Sequence, residues 1–136
     1  MKQLQTVHPN YIHQIWDKIE TFFDRAMLAG TEDYTVDQLK MLLIEGKQTL
    51  FVFVEDEKII GALAVEMINY PNSRVAYTSA IGGKGLFDEN TIKQYEDWAK
   101  SQGATKIRAW AKDAQARLYK MKMGFDIATH IVEKNI

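Results

Sequence analysis

Arg74-Val75-Ala76-Tyr77-Thr78-Ser79-Ala80-Ile81 runs without interruption into Gly82-Gly83-Lys84-Gly85, and a helical pattern follows. The first part reads as a strand. A strand that opens into glycines ahead of a helix presents unpaired backbone N–H groups where an anion can be held. The elements on either side of this stretch decide the fold.

Upstream lies a hairpin. Thr49 to Val54 is rich in β-branched and aromatic residues, Glu55 to Lys58 is a polar turn, and Ile59 to Val65 returns. Both runs are apolar at nearly every position, so the sheet is expected to be covered on both faces. Gly61 inside the return strand signals a bulge or a close packing partner. Further upstream, Leu4 to Val7 is a short strand and Pro9 suits a helix start. Ile12, Ile15, Trp16, Ile19, Phe22, Phe23, Ala26 and Met27 then form a helical stripe that ends at Ala29-Gly30. Thr35 and Gln38 match a capping box. Val36, Leu39, Leu42 and Leu43 give the second helix its buried face, and Gly46 closes it.

Downstream, Thr91 to Gln102 is a helix with Ile92, Tyr95, Trp98 and Ala99 facing inward and Gly103 as its stop. Lys106 to Trp110 alternates like a strand. Asp113 can cap a last helix carrying Ala114, Leu118 and Met121 on one side, before Gly124-Phe125. Ile127 to Val132 is expected to be the final strand.

The chain has 136 residues, which suggests one domain over 1–136. A chain of this size buries roughly two thirds of its unfolded surface and needs no covalent staple. It has no cysteine, which excludes disulfides, thiolate catalysis and zinc–thiolate sites. Its 17 basic and 18 acidic residues leave a formal net charge of −1, so nothing favours nucleic acid or an anionic membrane as partner. The longest apolar stretch lies within Ile59 to Val65, far short of the ~20 residues of a membrane span. The N-terminus has no apolar signal core. A cytoplasmic protein is expected. His8, His13 and His130 show no metal-ligand spacing, so no metal site is expected.

Three pieces in order carry a family likeness. They are the hairpin Phe51 to Gly61, the helix and turn Tyr95 to Ala104, and the segment Ala116 to Phe125 with its Gly-Phe ending. This succession resembles the GCN5-related N-acetyltransferase (GNAT) superfamily over almost the whole chain. The resemblance implies an α/β (α+β) fold with a mixed, mostly antiparallel central sheet and helices on both faces. It implies acetyl-CoA as co-substrate and an amine as acceptor. The cofactor-binding stretch would be Ala80, Ile81, Gly82, Gly83, Lys84 and Gly85, with the strand beside it pairing with the pantetheine amides. The catalytic candidates are Glu66 as the base and Tyr119 as the acid that protonates the departing thiolate.

The sequence departs from the family pattern in three places. Ala80 stands where the loop normally has Arg or Gln, and Leu86 to Asn90 intervenes before the helical pattern, with Asp88 or Asn90 as a natural N-cap. Lys120, not Tyr119, lies four residues before Gly124, and one residue is about 100° of helix rotation. The strand from Arg74 has no carboxylate, which leaves Glu66, at the end of the preceding strand, as the base; Tyr77, Thr78 and Ser79 are the alternative as water-orienting groups. The cluster Lys112, Arg117, Lys120 and Lys122 is a solvated face or a contact for CoA phosphates or an acidic partner.

Two functions therefore stand side by side. One is an acetyl-CoA-dependent N-acetyltransferase of unidentified amine. The other is a non-catalytic binding or assembly module, because the degenerate loop and acidic helix start also resemble the reduced acetyltransferase-like proteins of tailed bacteriophages, some of them virion components. That second function implies a protein partner or self-assembly and a virion location. Leu86 to Asn90 separates the two. An open helix start favours the enzyme, whereas an Asp88 cap with Phe87 in the diphosphate position disfavours it.

Overall fold

The computed structural model describes residues 1–29, 33–111, 120 and 123–136. A five-stranded sheet has the order β1-β2-β3-β4-β5. Its strands are β1 (Gln3–Val7), β2 (Thr49–Glu55), β3 (Lys58–Tyr70), β4 (Ser73–Gly83) and β5 (Lys106–Ala109). The first four pair antiparallel, and β5 joins β4 in parallel. Helices α1 (Ile12–Ala29) and α2 (Val36–Ile44) lie on one face, and α3 (Glu89–Ser101) on the other.

Period-two alternation divides the sheet between two cores. Leu50, Val52, Ala62, Ala64 and Ala80 meet Ile12, Trp16, Ile19 and Phe23 of α1 and Leu39 and Leu43 of α2. Phe51, Phe53, Leu63, Val65 and Ala76 meet Tyr95 and Ala99 of α3. The small residues Ala62, Ala64 and Ala80 on the first face let α1 settle close to the sheet. The covered two-faced sheet expected from the hairpin is thus formed.

Local signals place the element ends. Thr35 Oγ1 accepts from Gln38 N (3.2 Å) and Gln38 Oε1 accepts from Thr35 N (2.9 Å), the capping box expected of α2. Asp56 and Glu57 both take positive φ, 51° and 64°, as a tight two-residue hairpin turn requires. The register slips between Phe53 and Val54, opposite Gly61. Gly61 also faces Leu86, whose Cδ2 would stand 2.5 Å from any added Cβ. Both roles foreseen for this glycine are realised.

Three expectations need correction. Ile127 to Val132 forms no strand: residues 124–136 carry no regular structure, and Ile131 and Val132 are 71% and 92% exposed. The physical reason is in the pattern. Ile127, Thr129 and Ile131 would face one way and Ala128, His130 and Val132 the other, so neither face is decisively apolar and burial cannot fix a register. Glu66 is not at the end of its strand, because β3 and β4 form a long hairpin that continues to Tyr70 and Ser73. Gly82 and Gly83 belong to β4, paired with Ala62 and Gly61, and only Lys84 and Gly85 lie in the turn. The last helix expected from Asp113, including Tyr119, lies almost wholly outside the described residues; Lys120 and Met123 are helical.

Candidate functional site: the parting of β4 and β5

β4 and β5 pair only from Val75–Lys106 to Thr78–Ala109. Beyond Thr78, β4 continues to Gly83 with β3 on one side and, among the described residues, no strand on the other. The register of β3 with β4 shifts at the same place: Ala64 pairs with Ala80 and Val65 with Thr78, so Ser79 is the extra residue of a bulge. A bulge re-aims the chain where it loses its neighbour. Among the described residues the edge from Ser79 to Gly83 is therefore unpaired, the kind of edge to which an extended, amide-bearing segment can add.

The side chains around this point form a polar network. The Ser79 hydroxyl donates to Gln48 Oε1 (2.5 Å), with the Ala64 carbonyl also within reach at 3.1 Å. Gln48 Nε2 donates to the Tyr34 hydroxyl (3.3 Å). Tyr34 in turn has Glu66 as a hydrogen-bonding and charged neighbour. Glu66 lies across from Tyr77 on β4, and both sit between residues of the α3 face, so they share the α1–α2 face. Gln48 is 5% exposed, one of two buried polar residues among those described.

Burial pushes the Tyr34 phenol above its ordinary value, Glu66 adds to the rise, and the Gln48 amide opposes it. Burial, then the charge of Asp33, raises the Tyr77 phenol. On the opposite face the Tyr95 phenol, bonded to Thr78 Oγ1 at 2.9 Å, is pushed up to about 12 by burial. All three phenols therefore keep their proton near neutral pH. The arrangement gathers a carboxylate, phenols and a hydroxyl beside an open strand edge, the group types needed to hold an amine and accept its proton.

The glycine end of β4 is built differently. A Cβ at Gly82 would collide with the backbone carbonyl of Phe22 in α1. Gly85 has φ 59° and an added Cβ would meet only Lys2 Nζ at 4.0 Å. Gly82 answers to helix packing and Gly85 to backbone conformation. The start of α3 is closed as well. Asp88 Oδ1 accepts from Thr91 N (2.8 Å), and Thr91 Oγ1 accepts from Asp88 N (2.9 Å). The Thr91 N–H holds the Asp88 carboxyl below its usual range, with the Thr91 hydroxyl, the Lys2 charge and Asn90 N helping. Lys2 Nζ donates to Gly85 O (2.6 Å) and Asn90 Nδ2 to Lys2 O (2.7 Å), which ties β1 across the turn. Leu86 is buried beside Gly61, and Phe87 packs on Phe53 and Tyr95.

The structure thus brings Glu66 together with Tyr34 and Tyr77, and keeps Ala80 through Gly85 in one continuous stretch. Tyr119 lies outside the described residues. Of the conditions set on the helix start, the Asp88 cap is met, while Phe87 enters the core on the α3 face. Tyr34, Gln48 and Lys2 were not singled out from sequence. Their partners are remote in the chain, and only a buried amide at a strand start would have hinted at Gln48. Among the described residues no group of His, Asp and Glu is arranged to hold a metal, and no helix is long and apolar enough to cross a membrane.

No protein-family model and no curated protein matches the chain. Solved structures do. An aminoglycoside acetyltransferase from an uncultured soil metagenomic sample, solved with trehalose, is 13% identical with TM-score 0.72, over 99% of this chain and 96% of its own. A predicted acetyltransferase of Clostridium acetobutylicum, solved with acetyl-CoA, is 16% identical with TM-score 0.63, over 99% and 96%. The ribosomal-protein-alanine N-acetyltransferase of Brucella melitensis biovar Abortus is 13% identical with TM-score 0.67, over 99% and 100%. At these identities the likeness establishes the fold: a GNAT-like fold, with a mostly antiparallel sheet covered by helices on both faces.

Proposed function

We propose that the chain transfers an acetyl group from a thioester donor, acetyl-CoA in the first instance, to an amine. The observation that carries this reading is the bulge at Ser79. It coincides with the last β4–β5 pair and stands next to the network of Gln48, Tyr34, Glu66 and Tyr77. The donor supplies an activated acyl carbon and a thiolate leaving group. The β4 edge from Ser79 to Gly83 holds the donor's amide arm by strand addition. Glu66 takes the proton that the amine loses as its nitrogen bonds to the acyl carbon, and the C–S bond breaks to release the thiolate, which takes a proton from water. The Tyr34 and Tyr77 phenols orient Glu66 and the amine.

The test is transfer from radiolabelled acetyl-CoA to a panel of primary amines. Glu66→Gln should lower the rate about a hundredfold or more, as expected for a lost general base, with donor affinity unchanged. Full activity in that variant, or no transfer to any amine, would sink the proposal.

A second reading has its own observations. A helix start closed by Asp88 and the exposed Ile127, Ile131, Val132 and Ile136 suit a binding or assembly module. Light scattering that shows a stable multimer, together with absent donor binding, would favour it.

A further inference from the structure

We infer that the start of α3 holds no diphosphate, because Asp88 is already the anion bound there, and that the donor is recognised through its pantetheine arm alone. The inference rests on the acyl-transfer reading of the β4 edge and narrows its donor class to acyl-pantetheine thioesters, for which the nucleotide of CoA is dispensable.

A helix start attracts an anion through its unpaired N–H groups and its partial positive charge. Here the Asp88 carboxylate takes the N–H of Thr91 at 2.8 Å, and Thr91 returns the bond through Asp88 N at 2.9 Å. Glu89 adds a second negative charge in the first turn. A cation from outside the helix, Lys2, is engaged with Gly85 O at 2.6 Å and supports Asp88. Leu86 is 5% exposed and Thr91 Oγ1 donates to Leu86 O at 3.0 Å, so the segment that would have to give way is anchored in the core. A diphosphate arriving here would meet two carboxylates and no free donor at Thr91. Among the described residues, the β4 edge beyond Thr78 carries no such obstacle. Its Ser79 to Gly83 backbone remains available to the two amides of a pantetheine arm.

The experiment is a calorimetric titration of the full chain with pantetheine, CoA and ADP. Pantetheine and CoA should bind within about threefold of one another, with no heat from ADP. CoA binding about tenfold or more tighter than pantetheine, or measurable ADP binding, overturns the inference and leaves the acyl-transfer reading intact. Absence of binding by both pantetheine and CoA overturns the acyl-transfer reading and the donor class with it. Asp88→Ser keeps a capping oxygen without the charge. It should raise the affinity of CoA relative to pantetheine about two- to fivefold, the weight of one charge at a helix end. An unchanged ratio overturns the role given to Asp88.

Discussion

At Thr78 and Ser79, β4 leaves β5 with its side chains tied to Tyr95, Gln48 and, through Gln48, to Tyr34. Further along, at Gly83, the same strand enters a turn closed by Asp88 and Lys2. Both ends are well satisfied, but by different means. At the parting point the hydrogen bonds link segments far apart in the chain and leave the β4 backbone edge open. At the glycine end they are mostly short-range and occupy the Thr91 N–H at the start of α3. One strand thus carries an end whose edge is unpaired among the described residues and an end tied into a capped turn. Substitutions at the two ends should separate these roles.

The largest effect is expected at Gly82. An added Cβ would strike the Phe22 backbone carbonyl, and a helix backbone cannot yield as a side-chain tip can. Gly82→Ala should cost roughly 3 kcal/mol, the upper part of the overpacking range, read as a lowered denaturant midpoint. A cost under about 1 kcal/mol would mean that α1 moves away freely, and the packing role of this glycine would be wrong.

Gln48→Leu comes next. It removes the acceptor of the 2.5 Å bond from Ser79 and the donor to Tyr34 while filling similar space. The Ala64 carbonyl can still receive Ser79, so one bond has a substitute and the other has none. A loss of about 2 kcal/mol is expected for buried groups left unsatisfied. The Tyr34 phenol, which the Gln48 amide holds down, should titrate at higher pH in the variant, visible in the ultraviolet phenolate band. Lost stability without that shift would make Gln48 a packing residue and no part of the network.

How much of this was legible in the sequence follows from the range of each interaction. The Thr35–Gln38 and Asp88–Thr91 caps and the turn at Asp56-Glu57 connect residues within a few positions, so local types reveal them. The order of elements was legible because each apolar stripe is strong. Glu66 was chosen by residue type, but its setting was not, since β3 and β4 extend beyond their apolar stretches to Tyr70 and Ser73. Gln48 was missed because its partners are 14 and 31 residues away. Ile127 to Val132 misled because β-propensity without one apolar face does not make a strand. The glycines of the turn suggested a ligand, whereas Gly82 answers to α1, a contact with no local trace.

The smallest effects lie at the helix start, and there the pH dependence decides. Gly85→Ala should cost about 1 kcal/mol for a side chain at φ 59°, with no steric contribution, since only Lys2 Nζ is near. Asp88→Ala should cost about 1 kcal/mol at pH 7 as a lost N-cap. The two differ in their response to acid. The Asp88 carboxyl titrates below its ordinary value in the folded chain because Thr91 and Asn90 N–H groups bind the charged form. Its contribution is complete above the unfolded pKa of about 3.9 and is lost as pH falls through the lower folded value. Melts of wild type and Asp88→Ala should therefore converge toward pH 3, while the deficit of Gly85→Ala, which involves no titrating group, should persist. A gap between wild type and Asp88→Ala that stays constant down to pH 3 would show that the carboxylate charge is not what α3 holds. The separation drawn between the two ends of β4 would then rest on packing alone.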